Sequence, residues 1–303
     1  MGKWMWTKGV VKTSTAAAAG TQEIWTLPKS NFISLLHLKL KGTGGAGTPA
    51  VDDIVTRLVV TGNGDRTIYN TTGAQNRALM TFLSGTIPIV TNASGAYTDV
   101  DYIIPFGRCH YDEEVILPAK IFSSLQFRIT LGQIVAATSW DASGATLWLE
   151  ILEYLADDDP RTKLCVKTIC QEESIDTKAA GPIYSDLPLG NRYKAVMIYA
   201  SGTDGTTITE IKCEFNNGSE IPFTRDWLMV QDYNSSVMDL AAAVANYAFH
   251  PFDPARFQPG GSEAGMIADT PDSGMLNDAR MVMECGAGSE TADVVLQSYV
   301  SMT

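Results

Sequence analysis

Cys109 and His110 are adjacent, with Asp112, Glu113 and Glu114 directly behind them. These are the residue types of a thiolate nucleophile with its base, or of a metal site. The spacing argues against both, because neighbouring side chains of an extended chain point to opposite faces. The pair reads as structural. Cys165 and Cys170 are five apart with no histidine beside them, which is poor spacing for zinc. Glu150 and Glu153 are the carboxylate pair a β-sandwich hydrolase would need in one cleft, but an odd spacing on a strand turns them apart. The glycine-rich "KGTGGAGTPA" at 41–50 lacks the Lys-Ser/Thr that follows a phosphate loop, so it reads as an inter-strand loop. "ADDDP" at 156–160 lacks the alternation of a calcium loop and reads as a solvated linker. No catalytic set, cofactor site or metal site is expected, and the chain is not read as an enzyme.

One segment differs in kind. Residues 1–12 carry Lys3, Lys8 and Lys12, no acid, and Met1, Trp4, Met5 and Trp6. Lysine beside tryptophan suits either a lipid headgroup boundary or an arm that docks on a partner subunit. Lys3, Trp4, Trp6 and Lys8 are therefore the candidate contact residues. "HPFDPARFQPGG" at 250–261 reads as an extended segment packed along a neighbouring subunit.

The elements that must position these groups are mostly strands. In "FISLLHLKLKG", Leu36, Leu38 and Leu40 alternate with His37, Lys39 and Lys41, which puts one face in a core. "SLQFRITLG" sets Leu125, Phe127, Ile129 and Leu131 against Gln126, Arg128 and Thr130, and "TLWLEILEYL" sets Leu147, Leu149 and Ile151 against Glu150. Hairpins are expected at Gly62-Asn63-Gly64-Asp65 and at Asn217-Gly218. Helical spacing occurs at 74–84, and "SSVMDLAAAVANY" at 235–247 is a second helix candidate capped by Ser235 or Ser236.

The chain also repeats itself. "YIIPF" at 102–106 returns as "YAFHPF" at 247–252, and "VKT" at 11–13 as "VKT" at 166–168. "IWTLPKSN" at 24–31 returns as "IYSDLPLGN" at 183–191, "TGNGD" at 61–65 as "NNGSE" at 216–220, and "TLWLEILEYL" at 146–155 as "TADVVLQSYV" at 291–300. Five echoes in one order point to duplication of an architecture. The expected division is an N-terminal arm at 1–9, a first domain at 10–157 and a second at 158–303. The expected fold is all-β, two tandem antiparallel jelly-roll barrels or sandwiches with about one short helix in each. Pro105 and Pro251 are expected to close the entry to equivalent strands, with the following Phe plugging the same end of each core.

Composition sets the remaining bounds. With 303 residues, 45% hydrophobic and 18% charged, the chain can bury two cores. No run of 18 apolar residues exists, and "MGKWMWTKGVVK" is neither a secretory signal nor a myristoylation motif. A net charge of −12 argues against a broad nucleic-acid surface. Five cysteines without a CxxC read as reduced thiols of a protein assembled in cytoplasm, where the sequons at Asn70, Asn92, Asn217 and Asn234 carry no glycan.

The stretch "IIPFGRCHYDEEVILPAKIFSSLQFRITLG" at 103–132 resembles the coat-protein segment in which a "PFG" strand end leads to "LP-x-x-x-F-x-x-L" and an alternating strand. Here those residues are Leu117-Pro118, Phe122 and Leu125. The family is the double jelly-roll major capsid proteins of tailless icosahedral viruses, and the second copy departs from it in having no LP-x-x-x-F. The resemblance implies a homotrimer of pseudo-hexagonal outline that tiles a virion shell. Its partners would be neighbouring capsomers, minor capsid or vertex proteins and an internal lipid membrane touched by the N-terminal arm. "GTGGAGTPAV" and "TNASGAYTD" are candidates for exposed tips. A carbohydrate- or receptor-binding β-sandwich module, or a spike or minor coat protein, is the alternative.

Overall fold

The computed structural model describes residues 3–13, 20–44, 54–84, 90–92, 97–132, 140–155, 164–175, 180–200, 208–238, 246–252, 270–286 and 290–301. The linker at 156–163, most of the loop at 41–50, residues 253–261 and the tip at 93–96 lie outside them.

Contacts divide the chain into two compact units. One comprises Met1–Met80, Ile87–Lys167 and Ser301–Thr303, the other Thr81–Thr86 and Thr168–Val300. In the first unit the strands are β1 (Lys3–Lys8), β2 (Lys12–Thr13), β3 (Gln22–Thr26), β4 (Phe32–Gly44), β5 (Val55–Gly62), β6 (Arg66–Thr71), β7 (Val90–Asn92), β8 (Tyr97–Pro105), β9 (Leu125–Leu131) and β10 (Trp140–Leu155). Helix α1 (Gly73–Ser84) follows β6. One sheet runs β1-β10-β4-β8-β7, with β2 also on β10, and the other runs β3-β9-β5-β6. Among the described residues the strand pairs within these two sheets are antiparallel.

Alternation is what closes these sheets over a core. Tyr102, Leu38 and Leu149 stand side by side across β8, β4 and β10, and each is at most 2% exposed. Trp25, Phe127, Val60 and Tyr69 form the matching row across the second sheet, all buried. Direct cross-strand neighbours share a face, so one register error would turn each row outward.

The second unit holds β11 (Leu164–Ile175, entering from the first), β12 (Gly181–Asp186), β13 (Arg192–Ala200), β14 (Ile208–Phe215), β15 (Glu220–Asp226), α2 (Trp227–Met238), β16 (Tyr247–Pro251), β17 (Ala279–Cys285) and β18 (Glu290–Ser301). Its orders are β11-β18-β13-β16 and β12-β17-β14-β15. Counting β1 with β2 and β7 with β8, both units follow one scheme: first, last, third and sixth strand in one sheet, second, seventh, fourth and fifth in the other. That is the eight-strand jelly roll. The second core gathers Trp227, Ile198, Phe215, Met281, Met283 and Val294 among others.

The sequence echoes fall on equivalent hydrogen bonds. Leu27 N–H donates to Leu125 O at 2.9 Å, and Leu187 N–H to Ala279 O at 2.8 Å. Phe106 N–H donates to Ser34 O at 2.8 Å, and Phe252 N–H to Lys194 O at 3.0 Å. Both hairpins turn through left-handed backbone, at Asn63 and Gly64 and at Asn216, Asn217 and Gly218, where Asn and Gly meet the least strain.

Two expectations change. Pro105 and Pro251 stand at the C-terminal ends of β8 and β16, not at strand entries. There the ladder stops, and a missing N–H costs least; Phe106 and Phe252 do bury. The second helix begins at Trp227, eight residues before Ser235. Its cap is Asp226, whose carboxylate accepts from Met229 N–H at 3.1 Å, the usual bond to the third helical residue. Residues 239–245 of the expected helix lie outside the described residues.

Candidate functional site

The stretch 108–115 folds into a knot rather than a reactive pair. Arg108 Nε donates to Asp112 Oδ2 at 2.7 Å and its Nη2 to Asp112 Oδ1 at 2.9 Å and Glu114 Oε2 at 2.6 Å. The backbone N–H groups of Arg108, Glu114 and Val115 also donate to the Asp112 carboxylate. The side chains of Arg108 and Asp112 are 7% and 3% exposed. Burial works to raise the Asp112 carboxyl, and the Arg108 guanidinium with the backbone donors holds it below the usual carboxylate range. The hydrogen bond to Asp112 likewise raises Arg108. Asp112 is thus committed to Arg108, while Cys109 and His110 are exposed at the turn.

Glu150 and Glu153 separate as their spacing requires. Glu153 is buried and accepts from Asn31 Nδ2 at 3.1 Å and from the Thr7 hydroxyl. Glu150 faces outward beside His37. His37 Nε2 lies 2.9 Å from Asp101 and its Nδ1 3.6 Å from Glu150. The Asp101 hydrogen bond raises the imidazole pKa, against burial and with help from Glu150. This raised pKa stabilises the fold fully below pH 6.5, an effect lost as pH rises through the folded value. Lys8, Gly9, Val11, Lys39, Trp148, Leu149 and Glu150 surround His37 in a cleft of about 250 Å³. Among the described residues no three His, Cys, Asp or Glu groups are placed to hold a metal ion, and no helix is long and apolar enough to cross a membrane.

The four N-terminal candidates lie on β1, paired along its length to β10, with Trp4 opposite Tyr154 and Lys8 opposite Glu150. Trp4 is half-buried, edge-on to Tyr111 at 5.2 Å and tilted against Tyr154 at 4.8 Å, joining a small cluster with Phe32 and Ile116. Trp6 is 50% exposed, and Lys3 and Lys8 are exposed on either side. Val10 O accepts from Trp25 Nε1 at 2.8 Å, and Lys12 lies over the Trp25 ring. Non-local pairing across about 145 residues, which no local signal reports, makes this segment a strand.

None of the five cysteines is in a disulfide. Burial pushes the Cys165 and Cys213 thiols up to about 12 and Cys285 to about 11, which makes them poor nucleophiles. His250 packs on Phe223 with ring centroids 3.8 Å apart, and burial, with Arg225 nearby, lowers its pKa to about 4. The unfolded chain therefore binds a proton that the folded chain refuses between pH 6.5 and 4. Stability is full above pH 6.5 and falls by up to about 3 kcal/mol as the pH drops through that window. His250→Phe is expected to flatten the loss of thermal stability between pH 6.5 and 4; an unchanged acid slope would assign it to other groups.

Other structural features have no signal in the sequence. Asn76 Nδ2 donates to Ile103 O at 2.8 Å, and the Asn234 amide pairs with the Phe249 backbone at 3.2 and 2.9 Å. One asparagine on each helix thus ties it to the equivalent strand, β8 or β16. The short 3-10 turn at Ala119–Ile121, in "LPAKIF", recurs at Ser273–Met275 in "TPDSGML", although the motif letters differ.

No protein-family model matches the chain, and no curated protein matches its sequence. Solved structures do match. The chain is similar to the major capsid protein of STIV, the Sulfolobus turreted icosahedral virus, at 16% identity and a TM-score of 0.70, covering 97% of each chain. It is similar to the major capsid protein P2 of bacteriophage PM2 at 13% identity and 0.63, covering 99% of this chain and 97% of that one. A chain of the PBCV-1 virus capsid matches at 12% identity and 0.65, with 99% and 94% covered. The protein has the all-β double jelly-roll fold of these viral capsid proteins, matched over 97% or more of its length.

Proposed function

We propose that this chain is the major coat protein of an icosahedral virus, and that three copies close into a pseudo-hexameric capsomer. The observation that carries the reading is one strand order executed twice in one chain, which lets three chains present six like barrels around a three-fold axis. Residues 10–157 and 158–303 are assigned to the two barrels, with the arm at 1–9 adding β1 to the first. The work is structural: burial of apolar surface between copies, with no turnover. Neighbouring capsomers and minor capsid or vertex proteins are the further partners, and the protein resides in the virion after assembly in host cytoplasm.

Trp4, Trp6 and Lys8 share one face of β1, and with Lys3 at the start of the strand they form its contact surface. An internal lipid layer is one occupant their chemistry allows, and a second copy is the other. Deleting residues 1–12 would remove a sheet strand, so substitutions are the cleaner probe. Electron micrographs of the purified chain test the reading: particles of hexagonal outline are expected, and single monomers at high concentration would overturn it.

A further inference from the structure

Each unit ends in an open sheet edge dressed with exposed apolar side chains. In the first, β1 is the last strand of its sheet, and among the described residues it pairs with β10 alone. Trp6 on β1, and Val10 and Val11 in the segment that follows it, are 50%, 74% and 51% exposed, with Lys3 and Lys8 on either side of Trp6. In the second, β15 is the last strand of its sheet and pairs with β14, and α2 follows directly. Ile221, Leu228, Met229 and Tyr233 are 48%, 54%, 63% and 40% exposed, flanked by the exposed acids Glu220, Asp226 and Asp232. One cation lies within this strip, Arg225 over the Tyr233 ring at 4.8 Å. The equivalent helix α1 is buried over most of its length, including Leu79, Met80 and Phe82. α2 therefore leaves open an apolar face that its counterpart does not.

The two strips differ, one basic and aromatic, the other acidic and aliphatic. A self-complementary patch makes a two-fold dimer, whereas two unlike complementary patches join copies head to tail, in a ring where the rotation closes. Opposite charge steers and registers such a joint, and the apolar centre supplies the burial. Pro222 gives β15 no donor, and the register shifts beside it, so side chains rather than a continuous ladder must make the contact. Resting on the coat-protein reading above, we infer that the β1 strip of one copy docks on the β15–α2 strip of the next, and that this joint closes the trimer.

The test begins with the full wild-type chain. Trimers assembled from mixed heavy- and light-isotope chains are treated with a zero-length carbodiimide cross-linker and digested. Heavy–light links from Lys3 or Lys8 to Glu220, Asp226 or Asp232 are expected. Trimers whose inter-chain links all lie elsewhere would overturn the joint and leave the coat reading standing, whereas absence of trimers would overturn the coat reading itself. Two variants approach the joint from opposite sides. Lys3→Glu with Lys8→Glu, and Leu228→Asp with Met229→Asp, should each weaken trimerisation on the order of a hundredfold with unchanged circular dichroism. Adding Glu220→Lys and Asp232→Lys to the first pair should restore it. Intact trimers that float with anionic vesicles through residues 3–8 would assign the β1 strip to lipid and overturn the inference.

Discussion

Arg108→Met is expected to cost the first unit about 4 kcal/mol, because removing one partner of a buried ion pair strands the other charge. Arg108 and Asp112 are nearly inaccessible, and the guanidinium fork meets both carboxylate oxygens. Asp112 would keep its backbone donors but lose its countercharge. Arg108→Met with Asp112→Asn should recover more than half of the loss, since the neutral amide has no charge to strand. The pH dependence reverses as well. In the native protein the depressed Asp112 pKa stabilises the fold above the unfolded carboxylate value, near 3.9, and the effect is lost as pH falls below it. In Arg108→Met, burial without a countercharge raises that carboxyl, so the variant should gain stability as pH falls from neutral toward 4. Guanidinium unfolding at several pH values checks both points, and a loss below 1 kcal/mol at pH 7 would show that the knot adds little.

Trp227→Ala should be the most damaging single truncation in the second unit, at about 3–5 kcal/mol. Trp227 is 2% exposed within the second core, and its truncation leaves an indole-sized void into which a close-packed core relaxes only partly. Leu228, the next residue, is 54% exposed, and Leu228→Ala should change unfolding by no more than about 0.5 kcal/mol. The contrast separates the two roles assigned to α2: Trp227 packs the core, and Leu228 belongs to the proposed joint between copies. Equal effects of the two substitutions on unfolding would refute that division.

The alternating strands, both hairpins and the first helix were legible because their signals are local. Leu36, Leu38 and Leu40 are all buried where period two placed them, and Asn63-Gly64 turns as its composition requires. The doubled fold was legible through five echoes, each of which marks an equivalent strand or turn. The start of α2 was missed because the alanine-rich run after Ser235 drew the helix forward, although Asp226 before Trp227 was a readable cap. The Arg108 knot was illegible as such. Its residues lie four and six apart in an irregular segment, and only the chain reversal after β8 brings them together. β1 was hidden for a related reason, since its partner is β10 and no short window contains both. The repeated 3-10 turn shows the converse, with backbone geometry retained after the letters that signalled it in the first copy were replaced.

The central claim is that this chain works as an assembling coat protein, and its solution mass tests that most directly. Light scattering on a sizing column should give three times the 32.7 kDa chain, with little dissociation on dilution to micromolar concentration. A single 32.7 kDa species that persists on concentration would contradict the account.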